Sequence, residues 1–193
     1  MSALDDIFAA VTRGDRAAIE EMLRRDPDLL SARNETGDSL LLAAVYAGQR
    51  DIFGMLLEMG AGVNLFEASA VGLEDRTLEH LRRDPALVNA YSHDGWTPLH
   101  LAAFFGNRDV AALLLDHGAD INARSRSERF ARANTPLHAA AANRQVAVAE
   151  LLLERGADIN AKDGSGFTPL ALAANSRSDL LMMLLLEKGA RAD

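Results

Sequence analysis

The chain has 193 residues, of which 49% are hydrophobic and 25% charged, and its formal net charge is −8. This composition is ordinary for a globular protein, and the acidic balance argues against nucleic acid as the main partner. No apolar run approaches the roughly 18 residues that span a bilayer, so we expect no membrane partner. The lack of cysteine excludes disulfides and thiolate metal sites and favours the cytoplasm.

The first three predicted units each contain two helices. Residues 1–31 form the first unit, and Glu20 and Glu21 in its second helix keep the outer face polar. Residues 32–64 form the second unit. The third, residues 65–89, lacks the turn that opens the others, and its helices are predicted at residues 66–71 and 75–83. This gap is either a functional notch in the row of turns or the drift of a degenerate unit.

The fourth unit, residues 90–122, shows the chemistry of the repeated helix pair most fully. Thr97 is a good N-cap, and Pro98 suits the first helical position because its missing N–H costs nothing there. Gly106 ends the first helix, and an apolar second helix follows until Gly118, where a left-handed C-cap is expected. A pair of this size cannot bury its apolar stripe alone, so the pairs must stack.

The fifth and sixth units, residues 123–160 and 161–193, repeat this pattern with one difference. The fifth unit is longer, and its additional residues lie in a segment, residues 124–132, that holds four Arg and one Glu. One interpretation of the segment is an ordinary solvated loop. The other is a basic projection that reaches toward a carboxylate-rich or phosphorylated partner.

The fourth, fifth and sixth units share a leucine triplet followed by a Gly-Ala-Asp-like ending, and the closing residues of the six units are 33, 25, 33, 38 and 33 residues apart. Their starts are also alike, as in Gly95-Trp96-Thr97-Pro98-Leu99-His100, Thr135-Pro136-Leu137-His138 and Gly166-Phe167-Thr168-Pro169-Leu170-Ala171. These motifs resemble the ankyrin repeat, in the style of bacterial stand-alone members. The resemblance implies an all-α solenoid of about six stacked helix-turn-helix repeats with β-turn fingers, in a single domain over residues 1–193.

The resemblance also implies a protein-interaction module, a scaffold or regulator, that binds another protein through its finger tips and the exposed side of each first helix. Seven of the ten aromatic residues are predicted to lie on this concave face, and exposed aromatic side chains are what a binding hot spot requires. An inward orientation of Phe104 or Phe105 is the alternative for that pair. The predicted protein-binding residues are Tyr46, Tyr91, His93, Asp94, Trp96, Phe104, Phe105, Arg126, Arg129, Phe130 and Phe167.

A second hypothesis is a tight inhibitor, immunity or chaperone-like protein that caps a single enzyme partner. Acidic mimicry by residues 1–96, which hold 17 acids and 9 bases, favours it. Catalysis is not expected, because the sequence has no HExxH motif and no phosphate-cradling glycine loop. The resemblance assigns His100 and His138 to hydrogen bonds that brace adjacent repeats. We therefore expect no enzymatic activity, no cofactor and no metal site.

The last predicted helix is apolar from residue 180 to residue 186, although terminal repeats usually carry a polar outer face. Met182 and Met183 stand where the fourth unit has Ala111 and Ala112. Either this C-terminal edge is tolerated as it is, or it is a second contact surface that supports weak self-association.

Overall fold

The computed structural model describes residues 2–126 and 132–191, and in them the chain is all-α, as predicted. The described residues form twelve α-helices in six successive pairs, with two short 3₁₀ helices at Pro27–Ser31 and Pro85–Asn89. The first helices of the pairs are α1 (Ala3–Arg13), α3 (Leu40–Tyr46), α5 (Leu65–Val71), α7 (Pro98–Phe105), α9 (Pro136–Ala142) and α11 (Pro169–Asn175). The second helices are α2 (Arg16–Arg25), α4 (Arg50–Glu58), α6 (Glu74–Arg83), α8 (Arg108–Asp116), α10 (Val146–Glu154) and α12 (Asp179–Glu187).

The helix pairs group into two compact units, Met1–Glu67 and Ala68–Asp193, and the division falls within α5. In the first unit α1 packs against α3. In the second unit α7, α9 and α11 form one layer of consecutive contacts, and α6, α8, α10 and α12 form another. The predicted grouping of all six pairs into a single domain stays a prediction.

Each first helix begins and ends where the local sequence requires it. In α7, Thr97 Oγ1 accepts a hydrogen bond from the backbone N–H of His100, Pro98 occupies the first turn, and Gly106 closes the helix at a φ of 82°. Between these ends Ala102 and Ala103 are fully buried. Their small side chains allow the neighbouring first helices to approach closely. The apolar core of the second unit lies between its two layers of helices.

We call a loop that opens a helix pair, ahead of its first helix, a finger. Three fingers share one turn geometry. The first residue of the turn donates its N–H to the carbonyl of the fifth, over 3.0 Å from Asn34 to Asp38 and 2.8 Å from Ser92 to Trp96. Asp163 and Phe167 make the same bond over 2.9 Å. The fourth residue is glycine at a φ of 81–85°, a left-handed conformation that few other residues adopt without strain.

The third pair has no finger, as the shortened sequence predicted. Asn64 caps α5 directly, since its side-chain oxygen accepts the N–H of Glu67 over 2.9 Å and its own N–H donates to the Glu67 carboxylate over 2.8 Å. The predicted helices at residues 66–71 and 75–83 are therefore α5 and α6, each of which begins one residue earlier than expected.

No helix among the described residues is long and apolar enough to cross a membrane. The longest, α1, has 11 residues.

Candidate protein-binding surface

The fingers of the fourth, fifth and sixth pairs are joined through their backbones. The N–H of Arg126 donates to the carbonyl of Gly95 over 2.8 Å, and the N–H of Gly164 donates to the carbonyl of Arg132 over 2.6 Å. A Cβ atom at Gly164 would lie 2.8 Å from the same carbonyl oxygen, so only glycine allows this approach. Within the second unit the three fingers therefore form a continuous row.

His100 and His138 brace neighbouring pairs, as predicted. His100 Nε2 donates to the carbonyl of Asn134 over 3.0 Å, and its Nδ1 lies 2.7 Å from the hydroxyl of Thr97. Since a carbonyl only accepts, the proton is on Nε2 and Nδ1 accepts from the threonine. His138 repeats the arrangement between Thr135 and the carbonyl of Phe167, at 2.8 and 3.0 Å.

Burial keeps the bracing histidines neutral. It lowers the pKa of His100 from 6.5 to about 4, because the charged imidazolium is poorly solvated there. Burial also lowers the pKa of His138. Both rings are therefore neutral, and their hydrogen bonds hold the next finger at a fixed distance from the first helix.

Trp96 is buried, and the expectation that it lies exposed on the finger is wrong. Only 4% of the residue is accessible to solvent. Its ring packs edge-on against Phe104, with centroids 5.3 Å apart, and lies 5.9 Å from the ring of His100. The indole is therefore part of the packing between the fourth finger and α7, and it does not contact solvent as a binding anchor would.

Tyr91 is half-buried and fixed at both its ring and its hydroxyl group. The hydroxyl donates to the carbonyl of Arg124 over 3.1 Å, and the guanidinium of the exposed Arg126 lies 3.8 Å from the ring centroid. The structure thus joins two residues that the sequence assigned to different fingers. Together they present a cation on an aromatic platform.

Phe104 and Phe105, at the end of α7, pack edge to face with their centroids 5.1 Å apart. The sequence left open whether one of them turns inward, and both are half-buried. Each ring thus has one side in the packing and another side accessible.

The remaining predicted residues differ in their exposure. Phe167 is 46% exposed on the sixth finger, and Tyr46 is 37% exposed at the end of α3 in the first unit. His93 is exposed at the tip of the fourth finger, and Asp94 beside it is half-buried and accepts a hydrogen bond from the Ser92 hydroxyl. Arg129 and Phe130 lie outside the described residues.

Two further basic residues were not among the predicted binding residues. Arg132 and Lys162 are exposed on the fifth and sixth fingers, and the guanidinium of Arg124 donates to the carbonyls of Ala133 and Lys162. The Ser/Arg composition of the fifth finger was the signal for Arg132. No feature of the repeat pattern indicated Lys162. Among residues 2–126 and 132–191, no three His, Asp or Glu side chains converge on a metal-sized site.

The comparisons with known proteins concern the same repeats. A family model described as ankyrin repeats in three copies matches residues 65–163 and 125–193. The sequence is 33% identical over 63% of the chain to ankyrin repeat and SAM domain-containing protein 6 of Rattus norvegicus. It is 28% identical over 62% of the chain to a putative ankyrin repeat protein of Rickettsia felis, and 32% identical over 48% to the NF-kappa-B inhibitor cactus of Drosophila yakuba. The chain spans 11%, 43% and 20% of the lengths of these three proteins.

Proposed function

We propose that this chain, which belongs to the ankyrin-repeat family, binds another protein through the fingers and first helices of its second compact unit. Ankyrin repeats generally mediate protein–protein interaction, and members of the family are typically non-catalytic modules. We call the proposed contact region the finger surface. It comprises the exposed and half-buried residues Tyr91, His93, Asp94, Phe104, Phe105, Arg126 and Phe167.

The exposure of Phe167 carries this proposal. Phe167 and Trp96 occupy the same position at the end of a finger turn, yet Trp96 is 4% exposed and Phe167 is 46% exposed. A phenylalanine half in water costs solvation free energy, which burial against a partner recovers. Aromatic side chains of this kind commonly dominate the binding free energy of an interface.

The half-buried aromatic rings of the finger surface support the same conclusion. Phe104, Phe105 and Tyr91 are each held by neighbouring rings or hydrogen bonds, so little side-chain entropy remains to be lost on binding. A partner would therefore meet a preorganised surface of aromatic edges and not a set of mobile side chains.

Affinity purification followed by mass spectrometry tests the proposal. The full chain, its Phe167→Ala variant and a Met59→Ala variant are compared as baits. Met59 is a matched control because it is 41% exposed but lies at the end of α4 in the first unit. We expect Phe167→Ala to weaken partner binding about 10- to 30-fold, equivalent to the roughly 2 kcal/mol of a hot-spot residue. Equal recovery of the partner by all three baits would contradict the proposed surface.

The inhibitor hypothesis has one observation of its own, the excess of acids in residues 1–96. The similarity to the NF-kappa-B inhibitor cactus supports a regulatory role of the same kind. This hypothesis predicts a one-to-one complex in which the enzymatic activity of the partner is blocked. Size-exclusion chromatography measures the stoichiometry of the captured complex. A turnover assay then compares the activity of the partner in the complex with its activity after release. An inhibitor blocks this activity in the complex, whereas a scaffold leaves it unchanged.

A further inference from the structure

The fingers of the fifth and sixth pairs carry a group of exposed cations, although the protein as a whole has a net charge of −8. The group consists of Arg124, Arg126, Arg132 and Lys162, and we call it the basic cluster. All four residues belong to the second compact unit. A local excess of positive charge on an acidic protein restricts the partners that suit this place.

Arg126 is the most sharply positioned member of the basic cluster. Its backbone N–H is fixed to the carbonyl of Gly95 over 2.8 Å, and its guanidinium lies over the ring of Tyr91 at 3.8 Å from the centroid. Contact with the ring places the guanidinium carbon over the aromatic face and uses none of the guanidinium N–H groups as hydrogen-bond donors to a carboxylate. Those donors match the two oxygens of a carboxylate.

Hydrogen bonds hold the surroundings of Arg126 in place. Arg124 donates to the carbonyls of Ala133 and Lys162, and its own carbonyl accepts from Tyr91. The carbonyl of Arg132 accepts the N–H of Gly164 over 2.6 Å. The backbone positions of the cations are therefore set before any ligand arrives, which lowers the entropy lost on binding.

Among the described residues, two acids next to the basic cluster are engaged within their own turns. Asp163 is buried, and one of its carboxylate oxygens accepts the N–H groups of Ser165 and Phe167 over 2.8 and 2.9 Å. Asp94 is half-buried and accepts from the Ser92 hydroxyl. Neither of these two carboxylates is therefore exposed beside the cations.

We propose that the basic cluster binds a short acidic segment of the partner protein, with Arg126 forming a bidentate contact to one Asp or Glu carboxylate. Arg132 and Lys162 supply further positive charge on the fifth and sixth fingers. This inference rests on the proposed protein-binding function and names the chemistry of the partner. A nucleic acid suits the site less well, because a long phosphate backbone would extend beyond four cations onto a protein of net charge −8.

A fluorescence anisotropy titration of the full chain tests the inference with defined peptides. The probes are fluorescein-labelled octapeptides of alternating Glu and Gly, of alternating Gln and Gly, and of alternating phosphoserine and Gly. We expect the Glu peptide to bind at least 10-fold more tightly than the Gln peptide. The phosphoserine peptide distinguishes a carboxylate from a phosphate ligand: preferential binding of the Glu peptide over the Gln peptide supports the inference, and tight binding of the phosphoserine peptide alone contradicts it.

Variants separate the charge of Arg126 from its placement on Tyr91. Arg126→Gln is expected to weaken binding of the Glu peptide about 5- to 10-fold, and Arg126→Lys to weaken it less, because the charge remains without the bidentate edge. Tyr91→Leu keeps every cation but removes both the ring beneath Arg126 and the hydroxyl bond to the carbonyl of Arg124, and we expect a loss of about 3-fold. Arg108→Gln, which makes the same charge change at an exposed arginine of α8, is the control and is expected to leave binding unchanged.

Three results would overturn the inference. They are equal affinity for the Glu and Gln peptides, an equal effect of Arg108→Gln and Arg126→Gln, and tighter binding of a labelled eight-nucleotide single-stranded DNA than of either anionic peptide. Circular dichroism melts confirm that each variant is folded. The capture experiment with Phe167→Ala is independent of this titration. If capture depends on Phe167 and the peptides do not bind, the acidic-segment inference fails while the protein-binding function stands.

Discussion

His100 links the packing of a single ring to the pH dependence of stability. Its pKa is about 4 in the folded protein, whereas the ordinary value for an exposed histidine, which applies to the unfolded chain, is 6.5. Above pH 6.5 the ring is neutral in both states and its burial carries no ionisation penalty. Between pH 6.5 and pH 4 the unfolded chain binds a proton that the folded protein does not, so stability falls as the pH falls.

We expect this histidine to lower the free energy of unfolding by about 2 kcal/mol between pH 7.5 and pH 5, since one pKa unit corresponds to about 1.4 kcal/mol. Urea denaturation at the two pH values measures the loss. His100→Gln retains a capping side chain at the same helix position, and we expect it to be less stable at pH 7.5 but to show a smaller loss at pH 5. His93→Gln, at an exposed finger tip, is the control. An unchanged pH dependence in His100→Gln would refute the assignment.

Two arginines occupy a backbone conformation that earlier pairs reserve for glycine. Arg144 and Arg177 have φ values of 58° and 55°, and at the corresponding position between the paired helices Gly48 and Gly106 have values of 70° and 82°. The left-handed conformation costs a non-glycine residue roughly 1 kcal/mol. Glycine also has greater conformational freedom in the unfolded chain, which offsets part of the strain that the substitution relieves. The net gain in the free energy of unfolding is therefore smaller than the strain itself.

We therefore expect Arg144→Gly and Arg177→Gly each to raise the free energy of unfolding by about 0.5 kcal/mol, and the double variant by about twice that. Chemical denaturation of the purified variants measures the change. Ala47→Gly is the matched control, because Ala47 has a φ of −82° just before the same turn and should lose stability. Destabilisation in both arginine variants would show that their side chains contribute more than the backbone strain costs.

At the residue scale, the role of a side chain was predictable from the sequence where its partners are adjacent in the chain, and not where they are distant. The bracing role of His100 and His138 follows from a motif in which cap, proline and histidine are adjacent. The burial of Trp96 was not predictable in this way. It depends on Phe104, which comes eight residues later, and on the direction in which the finger folds over α7. Exposure of an aromatic residue is a tertiary property, and periodicity alone does not determine it.

At the scale of the elements, side chains in the loops between paired helices join the fourth, fifth and sixth pairs each to the preceding pair. The side-chain amide of Asn143 donates to the carbonyl of Phe104 over 2.7 Å, and the hydroxyl of Ser176 donates to the carbonyl of Ala141 over 3.1 Å. Asn107 donates in the same way to Ser69 and Ala70. Each bond satisfies a carbonyl near the end of a first helix, where the helix itself offers no donor.

We expect Asn143→Ala to reduce the free energy of unfolding by about 1 kcal/mol, because the carbonyl of Phe104 loses its partner. Equilibrium denaturation in urea measures the loss. The control is Asn175→Ala at the exposed end of α11, which we expect to cost less than about 0.5 kcal/mol. If the two substitutions had equal effects, the loop side chains would not be stabilising the helix stack.

Both helices of the third pair were predicted to within one residue, because the repeat register indicates both and Asn64 caps the first. The fifth finger was less predictable. A 2.9 Å hydrogen bond from the N–H of Ser125 to the carbonyl of Asn134 joins its two described ends. This pairing joins residues nine positions apart, and no turn motif in the sequence indicates it.

At the scale of the whole molecule, the net charge opposes self-association, whereas an exposed apolar stripe on α12 favours it. Leu180, Met183 and Leu186 are 71%, 58% and 50% exposed on α12, at helical spacing along one face. Met183 precedes its leucine triplet just as Glu150 precedes the triplet of α10. The predicted C-terminal edge named Met182 and Met183; of these, Met183 is exposed and Met182 is half-buried.

The charge of −8 at pH 7 makes copies of the chain repel one another, and this repulsion disappears near the isoelectric point of about 5.1. We therefore expect weak self-association through the α12 stripe to increase as the pH falls from 7.5 toward 5.1, which light scattering at several protein concentrations measures. Met183→Glu places a charge in the centre of the stripe and should reduce the association. Met59→Glu changes the net charge equally at a side chain of similar exposure, 41%, in the first unit. An equal reduction by both variants would mean that net charge alone governs association and that the stripe is not a contact surface.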